Sequence, residues 1–178
     1  VDEDRRRLNV VKSFYVKYDR KLPELVADFC QYYAPFPLHE VIFYYDSTAL
    51  GSNYAVNDQD FQWVITHELQ KHGWRVRPVY IGVPMRHMEK YTLINRGFAG
   101  QARLVPYFNE AQNQDLLVSV QTAGVYNGKK DKRGEKLAET EEDKLESRTD
   151  GSDAFDTLYI GCERFPQQAF VLRVTGGG

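Results

Sequence analysis

Two cysteines in 178 residues are too few for a disulfide framework. Both Cys30 and Cys162 fall inside apolar helical patterns, so the expectation is buried, reduced thiols and a cytosolic compartment. No apolar run approaches the roughly 20 residues of a membrane span, and no charged-then-apolar leader opens the chain. Charge of one sign is also missing. Lys and Arg total 23 against 25 Asp and Glu, a net of −2, so any affinity for nucleic acid has to come from local basic patches. Gly51, Gly97 and Gly100 form no phosphate-cradling loop followed by Lys-Ser/Thr, which excludes a nucleotide-binding P-loop. His67-Glu68 lacks the second histidine of a zinc-protease helix, and His72 brings no further metal-ligand pattern. His39 and His87 read as surface residues. Ser47 and Thr48 lack the G-x-S-x-G surroundings of a hydrolase nucleophile.

What remains is an ordinary globular composition, 42% hydrophobic, with 12 Tyr and 10 Phe, long enough for one domain with a substantial core. Val1 to Arg7 reads as a hairpin turn, as in a domain excised from a longer protein. Leu8 to Tyr18 is rich in β-branched and aromatic residues and predicts a strand. Pro23 suits a first helical turn, and Leu25, Val26, Phe29, Cys30 and Tyr33 recur at helical spacing until Pro35 and Pro37. Val41–Tyr45 is a short apolar run, as in a strand buried on both faces. Asp58 is the expected N-cap of a helix carrying Phe61, Ile65 and Leu69 and stopped by Gly73. A strand over 76–81, with Pro78 marking an edge, precedes a helix over 85–96. An extended run over 102–108 and a helix over 109–122 follow. Residues 124–147 are a polar loop or hairpin, basic at first and acidic later, and a last helix covers 153–164. The terminal glycines read as a frayed tail. Strands alternating with helices predict an α/β domain, whose ligands bind beyond the carboxyl ends of parallel strands.

Two acidic features stand out on that scaffold. The run Val41-Ile42-Phe43-Tyr44-Tyr45 ends in Asp46, and Asp150-Gly151-Ser152-Asp153 opens the last helix, with Asp156 a turn further on. A phosphodiesterase using two divalent ions needs carboxylates from separate elements, and Mg²⁺ or Mn²⁺ favours oxygen ligands. Asp150 and Asp153, three apart, share a helix face. Helix capping and a turn-stabilising aspartate explain the same residues without any metal. Lys129, Lys130, Lys132, Arg133 and Lys136 offer a basic run for phosphate contacts, or else a solvated loop balanced by the acids after it; Arg5 to Arg7 carry the same choice.

Taken in order, VIFYYDSTALG, Glu89 to Asn95, Leu116 to Val120, Lys130-Asp131-Lys132 ahead of Glu135, and RTDGSDAFDTLYIG resemble the C-terminal nuclease domain of phage terminase large subunits. The resemblance covers residues 8–166, and its motifs are short, so their order carries it. It implies a ribonuclease H-like mixed sheet flanked by helices and a metal-dependent endonuclease cutting double-stranded DNA during genome packaging. Asp46, Asp150 and Asp153 would ligate Mg²⁺ or Mn²⁺ in a two-metal site, with Asp156 in support. Implied partners are double-stranded DNA, an upstream ATPase domain in the parent protein, the portal and the small terminase subunit. The implied location is the cytoplasm of an infected bacterial host, with no membrane. The family's first carboxylate lies on a strand preceding the hairpin at which this chain opens, so one ligand is expected to be missing and the fragment to cleave poorly. The alternatives are a non-catalytic α/β interaction domain, or another ribonuclease H-like nuclease such as a resolvase or transposase core.

Overall fold

The computed structural model describes residues 1–2, 4–16, 20–51, 60–131 and 149–166. Within them the chain is mixed α/β. Its elements run β1 (Arg7–Val10), α1 (Leu22–Tyr33), β2 (Glu40–Tyr45), α2 (Phe61–Lys71), β3 (Arg75–Tyr80), α3 (His87–Phe98), β4 (Val105–Phe108), α4 (Gln114–Thr122), β5 (Val125–Tyr126), β6 (Lys129–Lys130) and α5 (Asp150–Arg164). β1 pairs with β4 and β2 with β3, both parallel, while β5 and β6 form an antiparallel hairpin. None of the helices described is long and apolar enough to cross a membrane.

The β2–β3 pair is covered on both faces. On one side Val41 and Val76 join a core of Val26, Cys30, Leu69 and Trp74 supplied largely by α1 and α2. On the other side Tyr44 packs against a second core, built from Leu8, Val10, Leu104, Leu116, Phe155, Tyr159 and Cys162. Successive strand residues face opposite ways, which is how Val41 and Tyr44 serve different cores. The apolar run expected at β2 is therefore read correctly, and both cysteines are buried and free as expected.

Several boundaries differ from the sequence expectation. The first strand ends at Val10, not Tyr18. Beyond it Phe14 turns to the aromatic rings of Phe29 and Tyr32, 5.5 and 5.7 Å away between centroids, and packing there replaces pairing. Residues 17–19 lie outside the described residues. So does Asp58, expected to cap α2; the cap is Asp60, whose Oδ1 accepts a 2.7 Å bond from the Trp63 N–H. The helix over 109–122 is split into a 3-10 turn at Glu110–Gln112 and α4. Asn113, at the join, is fully buried and donates to Val10 O at 2.9 Å and Asn109 O at 2.8 Å, a use of its amide that a continuous helix does not offer. The last helix starts at Asp150, three residues earlier than expected.

α5 is the element on which both strand pairs rest. Close approach is purchased with two glycines: a Cβ at Gly161 would strike the Tyr44 ring, and one at Gly97 on α3 would strike the Tyr159 phenol. Tyr44 then donates to Phe165 O at 2.9 Å, and Tyr159 donates to Leu104 O at 2.8 Å. Burial, with the Glu163 charge nearby, pushes the Tyr159 phenol up to about 12. Glu163 closes the packing by accepting from the N–H groups of Arg103 and Leu104 at 2.8 and 2.9 Å.

Candidate functional site

Asp46 follows directly on β2. Pairing continues past the strand ends, Ile81 N–H to Tyr45 O at 2.9 Å and Ser47 N–H to Gly82 O at 3.0 Å, and this draws the loop after β3 alongside Asp46. The Asp46 Oδ1 accepts from the Thr48 N–H at 2.8 Å and from the Thr48 hydroxyl, which fixes the carboxylate as the cap of a 3-10 turn at Ser47–Ala49. The turn-residue explanation of Asp46 is thus realised in the structure, and it leaves the side chain on a cleft wall rather than in the core.

That cleft, of about 330 Å³, is lined by Asp46 and by Glu89 and Lys90 of α3, together with Asp156 of α5. It lies at the carboxyl end of the parallel β2–β3 pair, where α/β sheets place their ligands. Asp156, which the sequence relegated to a supporting role, is the α5 carboxylate that shares the cleft with Asp46.

Asp153 and Asp156 sit one turn apart on α5 and share two ammonium groups. Lys130 Nζ, from β6, donates to Ser152 Oγ at 2.9 Å, Asp153 Oδ1 at 2.7 Å and Asp156 Oδ2 at 2.8 Å. Lys90 Nζ lies 2.7 Å from Asp156 Oδ2 and 3.8 Å from Asp153 Oδ1. The side chains of Lys130 and Asp156 are only 9% and 10% exposed, so each charge is compensated where water is scarce. His87, one turn before Lys90, titrates below the usual histidine range because of its burial and the Lys90 charge, with Asp153 pulling the other way.

Asp150 stands apart from this group. It is exposed, as the first residue of α5, and makes no contact with the two lysines; neither it nor Asp153 is among the residues lining the Asp46 cleft. The Thr149 side chain makes no cap bond; the Ser152 N–H in the first turn donates instead to Ser119 Oγ at 3.0 Å, and Asp150 and Asp153 favour that turn through the helix dipole.

Among the basic residues expected to contact DNA, Lys129 is exposed while Lys130 is turned inward to the α5 acids. Lys132, Arg133 and Lys136 lie outside the described residues. Lys90 was not anticipated at all. The hairpin that delivers Lys130 did carry a signal: Asn127-Gly128 between short apolar and basic pairs, with φ of 50° and 73°, is the turn pair favoured in two-residue hairpins.

The chemistry of the donor set bears on a metal. Ser152 Oγ, Asp153 Oδ1 and Asp156 Oδ2 converge on one ammonium nitrogen, and an all-oxygen set of this kind suits a hard divalent cation. It comprises two carboxylates and a hydroxyl; no group of three or more His, Cys, Asp or Glu suited to a metal occurs among the described residues. Compared with protein-family models, curated proteins and solved structures, the chain matches none.

Proposed function

We propose that this chain is a metal-dependent endonuclease domain acting on double-stranded DNA, of the ribonuclease H-like kind found in terminase large subunits. The observation that carries the reading is the meeting of Asp46, at the end of a parallel strand, with Asp156 of α5 in one cleft. Acids from separate elements at such a place are what in-line phosphodiester hydrolysis needs. Asp153 and Asp156, with Ser152, would hold Mg²⁺ or Mn²⁺, and of these Asp156 is the residue that shares a cleft with Asp46. When bound, the metal supplies charge for the phosphorane-like transition state and acidifies water. The protein's own contribution is positional. Thr48 orients Asp46, and Lys90 compensates the Asp156 charge. The phage origin, the upstream ATPase and the packaging partners belong to the same proposal.

The test is nicking of supercoiled plasmid by the chain in Mn²⁺. Asp46→Asn, Asp153→Asn and Asp156→Asn should each lower the rate by about 100-fold or more, as loss of a transition-state contact does. Asp150→Asn should have a smaller effect. Undiminished nicking by Asp46→Asn and Asp156→Asn would sink the site assignment. A second reading, a non-catalytic interaction module, is favoured by the pairing of Lys90 and Lys130 with the α5 acids, which makes them structural ions. Absence of nicking by the parent chain under any divalent ion would favour it.

A further inference from the structure

Ten arginines fall among the described residues, and eight of them are engaged within the protein. Arg5 and Arg20 meet Asp2 and Asp28, Arg75 pairs with Glu40, and Arg7 lies 4.3 Å from the centroid of the Tyr107 ring. Arg6, Arg96 and Arg103 donate to backbone carbonyls, and Arg77 also has a partner. Arg86 and Arg164, both exposed, are the two whose side chains make no hydrogen bond, ion pair or ring contact among the described residues, and both line the cleft that holds Asp46 and Asp156. They come from different elements, Arg86 from the start of α3 and Arg164 from the last turn of α5.

Local structure does not account for Arg86. It occupies the N-cap of α3, a position that favours Ser, Thr, Asp or Asn, and it makes no side-chain cap bond there. A cation at a helix N-terminus also opposes the dipole, so the residue costs the helix stability instead of adding to it. Arg164, at a helix C-terminus, is favourably placed for the helix, and its side chain likewise has no partner among the described residues. Two unspent guanidinium forks flanking carboxylates match a phosphodiester backbone. Each fork can grip a phosphate through two parallel N–H bonds.

We infer that Arg86 and Arg164 are phosphate-binding residues that seat the duplex backbone across the Asp46–Asp156 cleft. The inference rests on the nuclease reading and deepens it: DNA enters between the loop after β3 and the end of α5, not chiefly over the β5–β6 hairpin. The contacts are to phosphate, so they position the duplex without selecting sequence.

The test is fluorescence anisotropy of a labelled DNA duplex with the chain in EDTA, where no cleavage occurs, as salt is varied. The slope of log K against log salt reports the phosphates neutralised, about 0.9 for each. Arg86→Gln and Arg164→Gln should each reduce the slope by about 0.9 and weaken binding uniformly across sequences. Far-UV circular dichroism should stay unchanged, and melting temperature should move only by the helix-dipole contribution, slightly up for Arg86→Gln and slightly down for Arg164→Gln. An unaltered slope in the double variant overturns the inference, as does a slope that falls only for Lys129→Gln, which would put the duplex over the hairpin. The two readings fail separately. Loss of nicking in Asp46→Asn with unaltered arginine slopes leaves the nuclease standing and removes the clamp. Arginine-dependent binding by a chain that never nicks does the reverse.

Discussion

Replacing Lys130 by Met removes the ammonium at the centre of the α5 acids while keeping most of the side-chain volume. Three hydrogen bonds go at once, to Ser152, Asp153 and Asp156. Breaking a buried ion pair by removing one partner costs about 3–5 kcal/mol, which sets the upper bracket. Two features lower it. Lys90 stays 2.7 Å from Asp156, so the more buried acid keeps a counter-ion, and Asp153 is 38% exposed, so water replaces its lost bond. A net loss of about 2 kcal/mol remains, from the Ser152 hydroxyl and the weakened compensation of Asp156. Urea denaturation followed by fluorescence of the buried Trp74 reads this directly. The same reasoning fixes the double variant. With Lys90→Met added, Asp156 loses both of its ion-pair partners, and the combined loss should exceed the sum of the single losses by about 1 kcal/mol. A loss under about 0.5 kcal/mol for Lys130→Met, or strict additivity in the cycle, refutes the shared-counter-ion account.

Two further outcomes follow from the packing and the titration of single residues. Gly97→Ala drives a methyl into the Tyr159 phenol, whose bond to Leu104 O must then move, so a loss of about 2 kcal/mol or more is expected in the same urea assay. His87 is held below its ordinary value by burial and by Lys90, so the folded state takes up its proton at lower pH than the unfolded state. Stability is indifferent to this group above the ordinary value of 6.5 and falls as pH drops from there toward the folded value. His87→Gln should flatten that part of the stability–pH curve, and an unchanged slope would contradict the assignment.

The sequence was most legible where one physical cause dominated. A continuous apolar run ending in an acid predicts β2 and Asp46, and an acidic turn opening a helical pattern predicts α5. Legibility failed where distant parts decide. Lys90 and Lys130 reach the α5 acids from 66 and 26 residues away along the chain from Asp156, and no local spacing announces such a pairing. That Asp156 and not Asp150 lines the cleft with Asp46 has a similar cause. Both lie on one helix, but only the packing of α5 against Tyr44 decides which of its turns meets the end of β2. The long first strand failed because the pattern of Leu8 to Tyr18 is equally good for pairing and for aromatic packing, and Phe14 takes the second course. The ribonuclease H-like fold, the metal and the DNA substrate rest on resemblance and proposal.

The Tyr44–Gly161 contact has a mechanical meaning beyond close packing. Asp46 lies two residues along the strand from Tyr44, about 7 Å, and Asp156 lies five residues along the helix from Gly161, about 7.5 Å. The two acids therefore sit at the tips of short arms that meet at one ring seated on one glycine, with the Tyr44 hydroxyl pinned to Phe165 O. A rotation of about 10° at that pivot moves either tip by about 1.2 Å, a misplacement of the size that costs roughly 100-fold in a positioned reaction. The gauge of the cleft is thus set some 7 Å from its own acids, by a residue pair with no charge and no chemistry of its own.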